Sequence, residues 1–297
     1  MRRFCTFLSV VLVAAGFAFV AAAQQQAPDF SKVEIKTTKL ADGLYMLEGL
    51  GGNMIVSVGE DGAVLIDDEF APLSDKIKAA VAAVSAKPIR FIINTHYHGD
   101  HTGGNENFAK DGVTIVAHDN VRTRLALGVG ANPRPAPEDA LPVVTFSESV
   151  TFHLNGQELF VHHLAPAHTD GDSFIQFKQA DVIHTGDVFR TVAYPRIDTN
   201  AGGSFLGIIE DYETLIGLGG PNTRYVPGHG VVSSKADLEA QLKMFRDILG
   251  KVAEAKRLGR SVEETQAMKI TEPYDARWAN SPTAGNDLVA VIYSELQ

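Results

Sequence analysis

The feature that most constrains this chain is a run of six residues, His96 to His101, in which four side chains are natural metal ligands. The run has the pattern HxHxDH and offers three imidazoles and one carboxylate. His96 and His98 lie two positions apart on extended chain, so they point to the same side. Gly99 permits a sharp turn, which frees Asp100 and His101 to reach a second position nearby. One metal ion would use fewer ligands than this, so the spacing favours two metal ions.

Three further candidate ligands are His168, Asp187 and His229. Each follows the end of a short apolar segment that we predict to be a strand, as His96 does. Binding sites in α/β proteins gather at the carboxyl ends of strands. We therefore expect four separate segments to bring their ligands to one sheet edge.

The first 23 residues have the pattern of a secretory signal peptide. Arg2 and Arg3 give a charged start, residues 4–20 are almost entirely apolar, and three alanines ending at Ala23 match a cleavage site. We therefore expect cleavage after Ala23 and a periplasmic or secreted protein, with residues 24–297 as a single domain. The alternative is an uncleaved membrane anchor, for which the apolar stretch is short.

Loss of this segment changes two properties of the chain. The one cysteine, Cys5, leaves with it, so the mature chain has no thiolate ligand and no disulfide. Removal of Arg2 and Arg3 changes the formal net charge from −10 to −12. Such an acidic surface argues against nucleic acid and anionic membranes as partners. We expect a small-molecule substrate and no stable membrane association after cleavage.

The rest of the chain alternates short apolar segments with helical stretches, and it shows no internal repeat. Apolar, turn-bounded segments predict strands at 44–47, 54–58, 63–66, 89–93, 113–117, 150–154, 159–164, 173–177, 182–185 and 224–226. Helical periodicity predicts helices at 74–84, from about 118 to 127, at 233–258 with Ser234 as its cap, and at 286–295. The proline-rich segment 128–142 predicts a loop.

In their order along the chain, Asp67, the histidine motif, His168, Asp187 and His229 resemble the marks of the metallo-β-lactamase superfamily. The resemblance implies an α+β fold: an αββα four-layer sandwich in which two mixed β-sheets pack face to face, with helices on both outer faces. It also implies a dinuclear zinc site at one sheet edge.

The resemblance further implies how the ligands divide between the two zinc ions. One zinc would be held by His96, His98 and His168, and the other by Asp100, His101 and His229, with Asp187 as the bridge. Two neighbouring cations lower the pKa of a shared water from about 15.7 to roughly 7. Among these ligands, the candidate catalytic residues are Asp100, His101 and Asp187. A carboxylate bridge is a harder ligand than a thiolate, so iron or manganese could replace zinc.

Two positions bear on the substrate. Many secreted β-lactamases of this superfamily carry Cys where this chain has Asp187, whereas the complete set found here is more like that of glyoxalase II-like enzymes. Arg190 stands three residues after Asp187, where many of those lactamases place a Lys that grips the substrate's carboxylate. Arg190 is thus a candidate substrate-binding residue, and the alternative is an ordinary surface or ion-paired arginine.

The leading hypothesis is an exported dinuclear zinc hydrolase that opens a cyclic amide, as a β-lactamase does, by attack of a metal-bound hydroxide. The first alternative is a glyoxalase II-like hydrolase of lactones, thioesters or other esters, and the second is a metal-binding protein without turnover. The substrate, the native metal and the oligomeric state stay open.

Two local features each have two interpretations. Asp67 either supports the metal-binding loop or simply ends its strand. Leu50-Gly51-Gly52 forms either a mobile lid or a plain hairpin.

Overall fold

The computed structural model describes residues 28–130 and 132–297 and contains two mixed β-sheets. The predicted signal peptide lies outside the described residues.

The first sheet has seven strands in chain order: β1 (Lys36–Ala41), β2 (Leu44–Glu48), β3 (Asn53–Ser57), β4 (Ala63–Ile66), β5 (Ile89–Ile93), β6 (Thr114–His118) and β7 (Val144–Phe146). Its strands pair antiparallel from β1 to β4 and parallel from β4 to β7.

The second sheet has five strands, in the order β12-β11-β10-β9-β8. They are β8 (Ser149–Leu154), β9 (Gln157–His163), β10 (Ser173–Phe177), β11 (Val182–His184) and β12 (Arg224–Val226). The β11–β12 pair is parallel, and the other pairs are antiparallel.

The α-helices are α1 (Ser74–Ala82), α2 (Gly99–Thr102), α3 (Asn105–Ala109), α4 (Asp119–Leu127), α5 (Phe205–Leu218), α6 (Lys235–Arg257), α7 (Val262–Ala267), α8 (Glu272–Trp278) and α9 (Ala284–Glu295). Within the described part of the chain, no helix combines the length and apolarity that crossing a membrane requires.

The two sheets pack face to face through one shared apolar cluster. Ile55 and Ile93 of the first sheet belong to the same buried cluster as Val161, Ile175 and Phe177 of the second. Strands β3 and β4 are buried along their whole length, because a helix covers the face that does not meet the second sheet. This explains why both strands are apolar without a polar alternation.

Helices cover both outer faces. Ile77 and Val81 of α1 pack with Leu65 on the first sheet. Tyr212 of α5 and Phe245 of α6 belong to the cluster on the outer face of the second sheet. The predicted αββα sandwich is confirmed.

The strand and helix predictions agree with the structure to within one or two residues for most elements. Ser234 caps α6, as predicted, in a capping box with Asp237. In the segment predicted as a loop, the described residues contain only one short turn of 3-10 helix, Glu138–Ala140.

The structure also contains elements that the sequence did not predict, chiefly β1, β7, α5, α7 and α8. The largest is α5, whose sequence includes Gly207, a poor helix former. The structure explains this glycine, because a Cβ at Gly207 would collide with the backbone oxygen of Pro166. Helix α5 therefore approaches the 165–172 loop closely, and that loop carries His168.

One side chain joins β3 to the loop after β12. The Asn53 amide donates hydrogen bonds to the oxygens of Pro227, at 2.8 Å, and Gly230, at 2.9 Å. We predict that Asn53→Ala lowers the free energy of unfolding by about 2–3 kcal/mol, since both carbonyls lose their donor in a largely buried place. The more exposed Asn107→Ala, which also removes two amide hydrogen bonds, should cost less than about 1 kcal/mol. Urea unfolding checks both values, and equal losses would contradict the assignment.

Candidate metal centre

The candidate ligands meet where four segments leave their strands. The histidine motif follows β5, His168 follows β9, Asp187 follows β11, and His229 follows β12. The Ser173 amide donates to the Thr95 oxygen at 2.9 Å, which ties the two sheets together at this edge. The structure therefore brings all seven predicted ligands together at one end of the sandwich.

The local backbone explains how six consecutive residues reach two places. His98 is extended, with φ −62° and ψ 149°, and α2 begins immediately after it. Asp100 and His101 thus lie in the first turn of a short helix rather than on the extended chain that carries His98. The rings of His96 and His101 remain neighbours, with 4.1 Å between their centroids. The Thr102 hydroxyl closes this turn by donating to the His98 oxygen at 3.1 Å.

The first ligand group consists of three imidazoles. His98 Nδ1 lies 3.1 Å from His96 Nε2 and 2.8 Å from His168 Nε2. All three side chains are buried. Burial lowers the pKa of His168 to about 3 and that of His96 well below its usual value. These imidazoles are therefore neutral at neutral pH, which is the form that binds a metal.

The outward nitrogen of each of these imidazoles has its own partner. His96 Nδ1 lies 3.0 Å from the Thr95 hydroxyl, and His168 Nδ1 lies 2.6 Å from the Arg196 oxygen. His98 Nε2 lies 3.0 Å from Asp198 Oδ2. Such outer partners fix the orientation of a ligand ring.

The second ligand group contains carboxylates as well as imidazoles. His229 Nε2 lies 3.2 Å from Asp100 Oδ2 and 3.3 Å from Asp187 Oδ2. His101 Nε2 lies 3.4 Å from Asp187 Oδ1. Burial lowers the pKa of His229, but the charge of Asp187 and the hydrogen bonds of His229 to both carboxylates outweigh it and raise the pKa to about 9.

Asp187 lies between the two groups. Its Oδ2 atom, close to His229, is also 3.7 Å from His168 Nε2 in the first group. The carboxylate is buried, and the positive charge that His101 and His229 can carry holds its pKa well below the usual range, against the effect of burial. An anion in this position can serve both groups at once.

The donor set fits bound metal. Three overlapping groups have all their ligand atoms within 4.8 Å of one another: His96, His98 and His168; His96, His101 and Asp187; and Asp100, His101 and His229. His101 Nε2 and Asp187 Oδ1 are buried and form no hydrogen bond. Unpaired buried polar atoms are costly, and a cation between them removes that cost.

Asp67 supports the metal-binding loop. It accepts hydrogen bonds from the Thr95 amide at 2.7 Å and the Thr95 hydroxyl at 2.8 Å, and its Oδ2 lies 2.8 Å from His101 Nδ1. Its backbone is left-handed, with φ 61°, a conformation that Asp tolerates better than most residues. Of the two interpretations of Asp67, the structure favours support of the ligand His101.

Several supporting residues were not found from the sequence. Asp198 contacts His98 and accepts a hydrogen bond from the Tyr97 hydroxyl at 2.6 Å. His184 is buried, with Nε2 at 3.7 Å from Asp67 Oδ2. Glu69 accepts a hydrogen bond from the Gly51 amide at 2.9 Å. No motif marks these three residues in the sequence, because each meets its partner only after folding.

The side chain of Arg190 lies apart from the ligand cluster. It lines a pocket of about 390 Å³, together with Arg196 and residues of α9 such as Asp287, and none of the seven ligands lines that pocket. Arg190 Nε is buried and forms no hydrogen bond. Arg190 is therefore close to Asp187 along the chain, but its guanidinium faces a neighbouring pocket.

The loop that carries His168 rests on two buried carboxyl groups. Asp172 accepts hydrogen bonds from the Thr169 amide and hydroxyl at 2.8 and 2.6 Å. Asp211 of α5 accepts one from the Ala165 amide at 3.0 Å. Burial raises the pKa of Asp172 to about 7 and, with the charge of Asp172, raises that of Asp211 to about 9.

Comparison with known proteins places this arrangement in a family. A family model described as "Metallo-beta-lactamase superfamily" matches residues 47–243. A solved structure, a metallo-β-lactamase from Pontibacter korlensis, superposes with a TM-score of 0.60 at 20% identity and covers 72% of this chain and 100% of that chain. At this identity, the likeness shows the fold.

Two relatives match part of the chain. The 2,4-dinitroanisole O-demethylase subunit alpha of Nocardioides sp. is 25% identical over 238 residues, covering 74% of this chain and 66% of that protein. The hydroxyacylglutathione hydrolase of Polaromonas sp. is 30% identical over 142 residues, covering 46% of this chain and 52% of that protein. The chain thus spans less than two thirds of the length of either relative.

We predict that Asp67→Asn weakens metal binding by about 10- to 100-fold, because an amide cannot accept from both Thr95 and His101 as the carboxylate does. The adjacent Asp68→Asn is the matched control. Asp68 is buried, burial raises its pKa well above the usual range, and it accepts from the Gly104 amide at 2.9 Å, so a neutral amide replaces it closely. Competition with a chromophoric chelator measures both affinities. Equal affinities for the two variants would contradict the role given to Asp67.

We predict that Asp211→Asn stabilises the protein at alkaline pH. The unfolded carboxyl loses its proton near pH 3.8, whereas the folded one keeps it up to about pH 9. The contribution of Asp211 to the free energy of unfolding is therefore fully present below pH 3.8. It falls by about 1.4 kcal/mol per pH unit as the pH rises from 3.8 to about 9. The variant should have a higher Tm than the wild type at pH 8 and a much smaller advantage at pH 5. Parallel pH profiles for the two proteins would refute this.

Proposed function

The chain belongs to the metallo-β-lactamase superfamily, and on that premise we propose that it is an exported dinuclear zinc hydrolase that cleaves a carbonyl–heteroatom bond. The family consists mostly of hydrolases, and the His/Asp cluster is able to bind metal. The observation that carries the proposal is the position of Asp187, with Oδ2 at 3.7 Å from His168 Nε2 and 3.3 Å from His229 Nε2. One carboxylate within reach of both ligand groups is what two neighbouring ions require.

When bound, zinc ions polarise a substrate carbonyl and supply a nucleophilic water at neutral pH. His96, His98 and His168 would hold one ion, and Asp100, His101 and His229 would hold the other. Asp187 would bridge them and offset part of their charge. The outer partners of the ligands, Asp67 among them, keep the rings in place without rearrangement during the reaction.

Asp100 has a second role in this proposal. Burial raises its pKa, but the charge of His101 and the hydrogen bond from His229 outweigh burial and lower it to about 2. The carboxylate is therefore ionised at neutral pH. It is also one of the more exposed ligands, at 21% of its side chain, so it faces the solvent from which water and substrate arrive. We assign Asp100 to orienting the attacking water as a hydrogen-bond acceptor.

The leading substrate class is a cyclic amide, opened as in a β-lactamase. Export supports this choice, because β-lactams are met outside the cytoplasm, and the signal-peptide pattern of residues 1–23 is what supports export. Residues 24–297 would then form the mature single domain. Iron or manganese are the alternative metals, since the Asp187 bridge is an oxygen ligand.

The second candidate is hydrolysis of a lactone, thioester or other ester. Two observations favour it: Asp187 is a carboxylate rather than a thiolate, and the Arg190 guanidinium faces a pocket that no metal ligand lines. The partial likeness to a hydroxyacylglutathione hydrolase also favours this second candidate. A metal-binding protein without turnover is the weakest of the three candidates, because all seven ligands are present and converge.

We predict two metal ions per mature chain by elemental analysis. His98→Ala and Asp187→Ala should each lower the metal content and reduce hydrolysis by several orders of magnitude, because one removes a ligand and the other removes the bridge. His153→Ala, an exposed histidine outside the cluster, is the control and should change neither quantity. Hydrolysis that survives chelation, or full metal content in Asp187→Ala, would overturn the dinuclear proposal.

The substrate class is decided by a panel of penicillin, cephalosporin, carbapenem, lactone and thioester substrates. If β-lactams are the substrates and Arg190 binds their carboxylate, Arg190→Ala should weaken transition-state binding by roughly 1.5–3 kcal/mol. Neutral lactones should lose much less, and Arg190→Lys should recover part of the loss. The readout is kcat/KM for each variant. Equal losses on charged and neutral substrates would make Arg190 structural, and no turnover of any β-lactam would leave the ester or thioester class.

A further inference from the structure

A pocket of about 390 Å³ lies between the segment 190–197 and helix α9. Asn280 and Ser281, from the loop before α9, complete its wall. None of the seven metal ligands lines it, so the chemistry of the metal cluster does not account for it. Its volume is in the range of pockets that hold small organic molecules.

Two arginines, Arg190 and Arg196, line this pocket. Neither side chain forms an ion pair or a hydrogen bond with another described residue. Arg190 Nε is buried, and no other lysine or arginine nitrogen in the described part of the chain is both buried and without a hydrogen-bond partner. A guanidinium keeps its charge at every physiological pH, and a partly buried charge without a partner is costly. The pocket therefore carries positive charge that the protein itself leaves uncompensated.

The other charged group on the wall is Asp287. Its Oδ2 accepts a hydrogen bond from the Thr283 hydroxyl at 2.8 Å, and it pairs with neither arginine. Two arginines and one aspartate give the wall a formal charge of +1, although the whole chain carries −10. Helix α9 has twelve residues and begins at Ala284 on this wall, and the N-terminal end of a helix also favours anions. An anion is therefore the complementary ligand.

Part of the wall is apolar, which restricts the kind of anion. Ile197, Leu288 and Val291 line the pocket. Leu288 is 5% exposed and belongs to the buried cluster on the outer face of the second sheet, and Ile197 packs against that cluster. An inorganic anion would leave these side chains in contact with water. An organic acid with an apolar body would cover them, while its carboxylate accepts paired hydrogen bonds from a guanidinium.

Hydrogen bonds hold the segment that carries both arginines. The backbone oxygen of Arg196 lies 2.6 Å from His168 Nδ1, and the Gln241 amide donates to the backbone oxygen of Arg190 at 3.3 Å. Between them, the Tyr194 amide donates to the Trp278 oxygen at 2.9 Å. The segment is thus fixed at both ends and in the middle. A wall that is already ordered binds a ligand without the entropy cost of ordering it first.

We propose that the pocket between segment 190–197 and α9 is a second binding site, separate from the metal cluster, for an organic acid with an apolar body. Arg190 and Arg196 hold the carboxylate, and the apolar part of the wall holds the body. Arg190 then acts here rather than at the metal ions. The proposal goes beyond the proposed function and is independent of it, because it requires neither bound metal nor turnover.

Isothermal titration calorimetry of the zinc-loaded protein with four probes tests both parts of the ligand. Hexanoate should bind at least tenfold more tightly than hexanamide, which has the same body without the charge. It should also bind more tightly than acetate, by about twofold to fourfold for each added methylene that the pocket removes from water. Equal binding of hexanamide, or binding of acetate or inorganic phosphate as tight as that of hexanoate, would overturn the proposal.

Variants locate the site. Arg190→Gln and Arg196→Gln should each lower hexanoate affinity by about tenfold or more, because each removes a charged hydrogen-bond donor. Asp287→Asn should raise it severalfold, since it removes the negative charge on the wall. Arg224→Gln is the matched control: Arg224 is also partly buried and forms no ion pair with a described residue, but it lies on β12 outside the pocket. Its affinity should equal that of the wild type, and equal losses in all three arginine variants would reject the site.

Carboxylates also bind zinc, so the place of binding has to be separated from the metal ions. Hexanoate affinity should survive both His98→Ala and removal of zinc by a chelator, and it should be lost when Arg190→Gln and Arg196→Gln are combined. Affinity that disappears with the zinc and persists in the double arginine variant would assign hexanoate to the metal ions and reject the second site. Absence of hexanoate binding to the wild type would reject it as well, whether or not the protein hydrolyses any substrate.

Discussion

The site depends on one electrostatic constraint: imidazole nitrogens and carboxylate oxygens lie 2.8 to 3.7 Å from one another in a largely buried place. His98 Nδ1 has two imidazole nitrogens within 3.1 Å, and the buried Asp187 has an oxygen with no hydrogen bond. Such an arrangement is unfavourable unless protons or metal ions lie between the groups. The surrounding structure holds these groups at distances that protons or metal ions between them make favourable.

The fold meets this constraint by using two sheets rather than one. The motif leaves the first sheet, while His168, Asp187 and His229 leave the second, so neither sheet alone completes either ligand group. The Ser173–Thr95 hydrogen bond and the Asn53 amide join the two sides close to the ligands. Packing between the sheets therefore sets the distance between ligands. The geometry of the site depends on the stability of the sandwich.

The sequence predicts the ligands better than their supports. His96 to His101 can be recognised because four ligands fall within six residues, and the apolar segments before His168, Asp187 and His229 show that they share an edge. Asp198, Glu69 and His184 act across long stretches of chain and belong to no motif. Helix α5 was missed because Gly207 opposes a helix locally, and only the close contact with Pro166 explains it. For Arg190, sequence spacing gives proximity to Asp187 but not the direction of the side chain.

The most direct test of this account is the anomalous scattering of zinc in crystals of the zinc-loaded protein. The account predicts two peaks about 3.5–4 Å apart. One should lie among His96, His98 and His168, and the other among Asp100, His101 and His229, with Asp187 in contact with both. A single peak, or two peaks of which Asp187 touches only one, would contradict the claim that this carboxylate joins two metal sites.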